Sequence, residues 1–301
     1  MRMNAFFRRF TGLGLLMVAG FFQGPVLAES TVASFVVALK PDKNPDKMAE
    51  EKKALETTLS AQLGRPVKVV IPLSAAVILE GFANGSIDVG YLSATELIKA
   101  REQKAAAILL AGEIDGKPSY ASYWVTLKEK SYASVEDLRG KPIAFASKTS
   151  TSGFVIPLYD LFQKGLISER ANPEEFFGRG NVFYGVGYVS AVERVLNGDA
   201  EAAAVSYYVL DKDQHLSIEQ RAKLRKLAKQ GPVPTHVLAA RSSLSESDRA
   251  ALKQALLSLN EAERAALRDN IFTSKLVEVN PEQHVGGLEK ALKLSARALG
   301  Q

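Results

Sequence analysis

The chain is expected to be an α/β protein of two lobes, each a largely parallel sheet clad by helices, joined by two crossing strands with a ligand cleft between the lobes. Three observations predict this. Short apolar runs alternate with segments of helical period over residues 34–111, as in a parallel sheet covered by helices. The alternation restarts after a polar break at 112–118 and continues to 205. The remainder, from 246, reads as three successive helices.

The first 28 residues stand apart. Arg2, Arg8 and Arg9 precede an apolar run at 11–22, and Val26-Leu27-Ala28 supplies compact residues ahead of Glu29. This reads as a cleaved secretory signal, since a spanning helix needs about 20 apolar residues. The Arg8-Arg9 pair also admits twin-arginine export. Over the full sequence 38 basic residues face 33 acidic ones. Residues 1–28 hold three of the basic residues and no acid, so the exported chain would be nearly neutral. Such a balance gives no case for nucleic acid. Cysteine is absent, which excludes thiol nucleophiles and cysteine metal sites. His215, His236 and His284 show no metal-ligand spacing. No cofactor, no metal and no catalytic constellation is expected.

The elements follow in order. Residues 34–39 (SFVVAL) read as a strand, and 47–63 as a helix with Met48, Leu55, Leu59 and Leu63 near helical period. Gly64 ends that helix. A strand at 67–71, a helix at 75–83, a strand at 87–92, a helix at 95–103 and a strand at 105–111 complete the first series. An extended run at 120–127, carrying Tyr120, Tyr123 and the single tryptophan, Trp124, is the first crossing segment. A helix at 135–140, a strand at 142–147, a helix after Gly153, a strand at 181–184, a helix at 191–196 and a strand at 202–205 form the second series. Residues 231–240 are the second crossing segment. Helices at 246–258, 262–270 and 281–299 close the chain. The expected domains are a signal at 1–28, lobe 1 at 29–119 plus 234–301, and lobe 2 at 120–233.

Ligands in such sheets bind beyond the carboxyl ends of the strands. The most informative of those loops follows the strand at 142–147, where Thr149, Ser150, Thr151 and Ser152 precede Gly153 and a helix. One hydroxyl suffices to cap a helix. Four hydroxyls beside free N–H groups at the positive end of a helix dipole suit a small tetrahedral anion. Phosphate loops, dinucleotide loops and plain capping turns share these ingredients. Ser93 opens another helix, and Ser206-Tyr207-Tyr208 ends a strand. Neutral hydroxyl donors suit oxyanion recognition rather than acid–base chemistry, which requires a carboxylate or histidine within reach.

The run Ser150-Thr151-Ser152-Gly153-Phe154-Val155-Ile156-Pro157 resembles the Ser-Thr-Ser-Gly-aromatic-x-x-Pro motif of the phosphonate/phosphite-type periplasmic binding proteins of ABC transporters. The strand Ile87-Asp88-Val89-Gly90-Tyr91-Leu92 is similar to their DIGYL strand, and Gly116-Lys117-Pro118-Ser119-Tyr120-Ala121-Ser122 to GKPYYRS. Ser134-Val135-Glu136-Asp137-Leu138-Arg139-Gly140-Lys141 resembles SLEDLKGK, and Val195-Leu196-Asn197-Gly198 resembles VLNG. The resemblance implies a type II periplasmic binding fold and a periplasmic location. It implies that Ser150, Thr151 and Ser152 hold the P–O oxygens and that Tyr120 donates a further hydrogen bond. Ser93, Tyr188, Ser206 and Tyr207 complete the expected contacts. Its partners would be a small oxyanion and an ABC permease, or a periplasmic sensor domain if the output is signalling. Three positions depart from the family pattern. Tyr188 replaces a histidine, Ser206 replaces an aspartate, and Pro72-Leu73-Ser74 replaces Thr-Asp-Tyr. Without the carboxylate that pairs a ligand ammonium, a small oxyanion with an uncharged tail is expected, the alternative being the same fold with a non-phosphorus ligand.

Overall fold

A computed structural model describes residues 32–40, 45–212, 216–272 and 275–300. The signal-like segment at 1–28, part of the loop after Lys40, and His215 lie outside the described residues. In chain order the first series is β1 (Phe35–Ala38), α1 (Pro45–Leu63), β2 (Val67–Val70), α2 (Ala75–Asn84), β3 (Val89–Leu92), α3 (Ala94–Glu102) and β4 (Ala106–Glu113). The second is β5 (Ser119–Leu127), β6 (Ile143–Phe145), α4 (Ile156–Gln163), α5 (Glu174–Phe177), β7 (Val182–Tyr184), α6 (Tyr188–Leu196), β8 (Ala202–Ser206), α7 (Tyr208–Asp211), α8 (Ile218–Ala222) and β9 (Leu224–Pro234). The chain then returns through β10 (Val237–Arg241), α9 (Glu246–Leu257), α10 (Ala265–Phe272), β11 (Lys275–Val277) and α11 (Pro281–Ala298).

Two sheets result, ordered β11-β4-β10-β3-β1-β2 and β7-β6-β8-β5-β9. In the first, β1 pairs in parallel with β2 and β3, while β10 returns antiparallel between β3 and β4. In the second, β6 pairs in parallel with β7 and β8, and β5 runs antiparallel to β8 and β9. The parallel strands are short apolar runs whose side chains alternate between the faces of the sheet. Phe35 and Val37 of β1 pack with Leu55 and Leu59 of α1 and Leu252 and Leu256 of α9, whereas Ala38 joins the opposite core. Trp124 is fully buried at the centre of lobe 2 against Phe145 and Phe177, 5.3 and 5.7 Å between ring centroids. Its Nε1 donates to the Gln230 amide oxygen at 3.2 Å once that amide is oriented to accept. Trp124 therefore belongs to the lobe 2 core rather than to the hinge.

The lobes are joined where β4 passes into β5 and β9 into β10. Thr235 ties these links together. Its Oγ1 donates to Gly112 O at 2.7 Å, with Pro118 O at 3.0 Å, and Gly112 N donates to His236 O at 2.9 Å.

Several elements differ from the sequence expectation. Residues 135–140 form one 3-10 turn at Val135–Leu138 rather than a helix. The second crossing strand starts at Leu224, and it reads poorly because it is an edge strand on which Lys226 and Lys229 are tolerated. The expected strand end at Tyr207-Tyr208 is instead the entry to α7. The helix expected from Phe154 opens earlier, with a π turn at Thr151–Val155.

Candidate ligand-binding site

The hydroxyl-rich loop leaves β6 and enters α4 through that π turn, an element recurrent at functional positions. Ser150 caps it. Its Oγ accepts from Gly153 N at 3.0 Å, and its carbonyl accepts from Phe154 N and Val155 N, both at 3.0 Å. The N–H groups of Thr151 and Ser152 lie in the first turn, where no intrahelical acceptor exists. Gly153 permits the tight path. A Cβ there would sit 2.4 Å from Ala146 Cβ and 3.1 Å from Tyr188 Cε1.

Tyr188, at the start of α6, lies over this turn. Its phenol oxygen is 2.7 Å from Ser152 Oγ and 3.4 Å from Ser150 Oγ. From beneath, the fully buried Ser122 of β5 donates to Ser152 O at 2.5 Å. Tyr120, also on β5, packs at a tilt against Tyr207, 5.3 Å between ring centroids. Burial, followed by the neighbouring Tyr188, holds the Tyr120 phenol well above its ordinary pKa, against an opposing hydrogen bond with Ser152. Burial likewise raises Tyr208, with Tyr188 and Tyr120 adding to the effect. These phenols therefore stay protonated and able to donate at neutral pH. Tyr188 meets Tyr208 edge-on at 5.8 Å. Ser206 Oγ is fully buried at the end of β8 with no partner of good geometry, although the Tyr208 phenol lies beside it.

Ser150, Ser152 and Tyr188 thus form a network of neutral hydroxyls, with Tyr120 and the buried Ser206 beside it and Tyr207 tilted against Tyr120. Thr151 faces the other way. Its Oγ1 lies 2.9 Å from Thr95 Oγ1 of α3, so this pair joins the two lobes directly. Ser93 commits its hydroxyl to the cap of α3, accepting from Glu96 N at 3.3 Å, while Glu96 accepts from Ser93 N at 2.7 Å. The sequence offers Ser93 as a contact and Thr95 only as a further hydroxyl of the same helix start. The signal available was the second hydroxyl two residues into the same helix start.

A cavity of about 260 Å³ opens beside the hydroxyl network, between the lobes. Tyr120, Tyr207 and Tyr208 line it from lobe 2, and Tyr91, Lys40 and His236 from lobe 1. His236 packs against Tyr91 at 5.5 Å, and its Nε2 lies 3.2 Å from Lys40 Nζ. Burial, and secondarily the Lys40 ammonium, push His236 down to about 3. It is therefore neutral at physiological pH and accepts from the lysine. His236 escaped the sequence reading because it stands on a crossing segment rather than on a loop after a parallel strand. Among the described residues no cluster of three metal-ligating side chains occurs, and no helix is long and apolar enough to cross a membrane.

Residues 37–284 match the model of a family described as "ABC transporter, phosphonate, periplasmic substrate-binding protein". The chain is 25% identical over 189 residues to the phosphate-import protein PhnD of Mycolicibacterium smegmatis, covering 62% of this chain and 59% of that protein. It is 26% identical over 151 residues to the probable ABC transporter phosphite binding protein PhnD1 of Prochlorococcus marinus, covering 48% of this chain and 50% of that one. The chain thus spans about half to three fifths of the length of these curated relatives. A solved structure of PhnD1 from Prochlorococcus marinus with methylphosphonate superposes with a TM-score of 0.64 at 18% identity, covering 89% of this chain and 98% of that chain.

Proposed function

We propose that this chain, which belongs to the family of phosphonate-type periplasmic substrate-binding proteins of ABC transporters, captures a small phosphorus oxyanion between its lobes and presents it to a membrane permease. The family is one of transport binding proteins rather than enzymes. The observation that carries the reading is the convergence of Ser150, Ser152, Tyr120 and Tyr188 on the start of one helix. In this reading the ligand's oxygens take the place of the Tyr188–Ser152 bond. They accept from these hydroxyls and from the N–H groups of the first turn, where the helix dipole adds attraction. Thr151 and Thr95 bring the lobes together over the bound ion, and the closed form is the one the permease meets. The segment at 1–28 directs the chain to the periplasm in the same reading.

A thermal-shift panel of phosphite, methylphosphonate, phosphate and sulfate tests the proposal. A ligand at 100 times its dissociation constant adds about 2.7 kcal/mol, a rise of a few degrees in melting temperature. A shift with a phosphorus oxyanion and none with sulfate is expected. Silence across the panel would remove the phosphorus reading.

A further inference from the structure

We infer that the ligand of this cleft carries a second anionic group, a carboxylate on a short carbon tail, and that Lys40 holds it in the cavity beside the hydroxyl network. The inference rests on the phosphorus-oxyanion reading and departs from the uncharged tail that the sequence suggests. The two regions are continuous. Tyr188, 2.7 Å from Ser152 Oγ, meets Tyr208 edge-on at 5.8 Å, and Tyr208 borders the cavity together with Tyr120, Tyr91 and His236. An oxyanion seated on the Ser/Thr turn therefore directs its substituent past the tyrosine rings toward Lys40.

The lysine is positioned for that role. An ammonium has three donors and accepts nothing. One is directed at His236 Nε2, 3.2 Å away, which the neutral imidazole accepts in the tautomer that carries its proton on Nδ1. Glu96 stands at 3.8 Å, but its carboxylate already accepts from Ser93 N as a helix cap. At least one donor of Lys40 is left for a ligand. The Tyr91 phenol donates to Phe272 O at 3.2 Å. Glu51 also borders the cavity and is not a free carboxylate. Were Glu51 the group that sets the tail's charge, an ammonium-bearing phosphonate would be preferred.

Calorimetric titration of the protein with methylphosphonate, phosphonoacetate and 2-aminoethylphosphonate separates these cases. Phosphonoacetate is expected to bind about tenfold more tightly than methylphosphonate, the scale of one charge-assisted hydrogen bond. In Lys40→Met that ratio should fall toward one, and Lys40→Arg should restore part of it. Equal affinities in the wild type, a ratio that survives Lys40→Met, or a preference for aminoethylphosphonate would each overturn the second-anion inference while leaving the phosphorus reading intact. Absence of binding by all three would overturn the second-anion inference, and the phosphorus reading would then stand or fall with phosphite and phosphate in the thermal-shift panel.

Discussion

Ser152 is where the chemistry of the cleft converges. Its hydroxyl meets Tyr188, its carbonyl is held by Ser122, and it is 1% exposed. Ser152→Ala removes a donor to a charged ligand, a change of roughly 1.5–3 kcal/mol, or about ten- to a hundredfold in affinity. Far-ultraviolet circular dichroism should be unchanged, because the backbone contacts remain. Gly153→Ala acts through packing instead. The added methyl would lie 2.4 Å from Ala146 Cβ, and overpacking of this kind costs about 1–3 kcal/mol, readable as a lower urea midpoint. His236 makes stability depend on pH. Its folded pKa is depressed to about 3 by burial and then by Lys40, so the unfolded chain takes up the proton first, near pH 6.5. The stabilisation is present above pH 6.5 and is lost progressively as pH falls toward 3. His284, lowered by burial, acts in the same direction. His236→Asn should flatten the decline between pH 6.5 and 5 in urea titrations; an unchanged slope would count against a neutral His236. At this scale the sequence announced the Ser/Thr turn, because four adjacent hydroxyls exceed what capping needs. It gave no sign of the Lys40–His236 pair, since those residues are 196 positions apart and meet only through the fold.

Among the elements, the two crossings decide how the lobes move. Thr235 ties both links with Oγ1 bonds to Gly112 O and Pro118 O, and it is 2% exposed. Thr235→Val keeps the shape and removes the hydroxyl donor to Gly112 O, while Pro118 O keeps the Thr235 N–H at 3.3 Å. The expected cost is about 1–3 kcal/mol in chemical denaturation, and an unchanged midpoint would show that the tie is not structural. The β-α-β order was legible because parallel strands buried on both faces read as short apolar runs. The edge elements were not. β9 carries Lys226 and Lys229, and β11 has three residues, so neither shows the alternation or length that marks a strand. The π turn was equally hidden, because it depends on the close approach of Gly153 to Ala146 rather than on local propensity.

For the whole molecule, α11 complicates a simple two-body hinge. Its Val285, Leu288, Ala291 and Leu294 belong to one core with Leu97 of α3 and Leu158 and Leu161 of α4, so apolar packing runs from one lobe to the other. Arg101 of α3 adds ion pairs to Glu289, at 3.1 Å, and to Glu282 of the same helix. Lobe movement is therefore expected to be of small amplitude, with α11 as its pivot. Thr95–Thr151 is a direct cross-lobe hydrogen bond on the cleft side. Thr95→Val should shift the ligand-free protein toward a more open form, seen as a larger radius of gyration by small-angle scattering, with ligand reversing the increase. An identical radius in both proteins would place closure elsewhere. The central claim is that the Ser/Thr turn with its tyrosines holds a phosphorus oxyanion. Calorimetric titration of methylphosphonate and phosphite into the wild type and Ser152→Ala tests it most directly. Saturable binding at one site is expected in the wild type, weakened at least tenfold in the variant. Equal binding in both proteins, or no binding in the wild type, would contradict it.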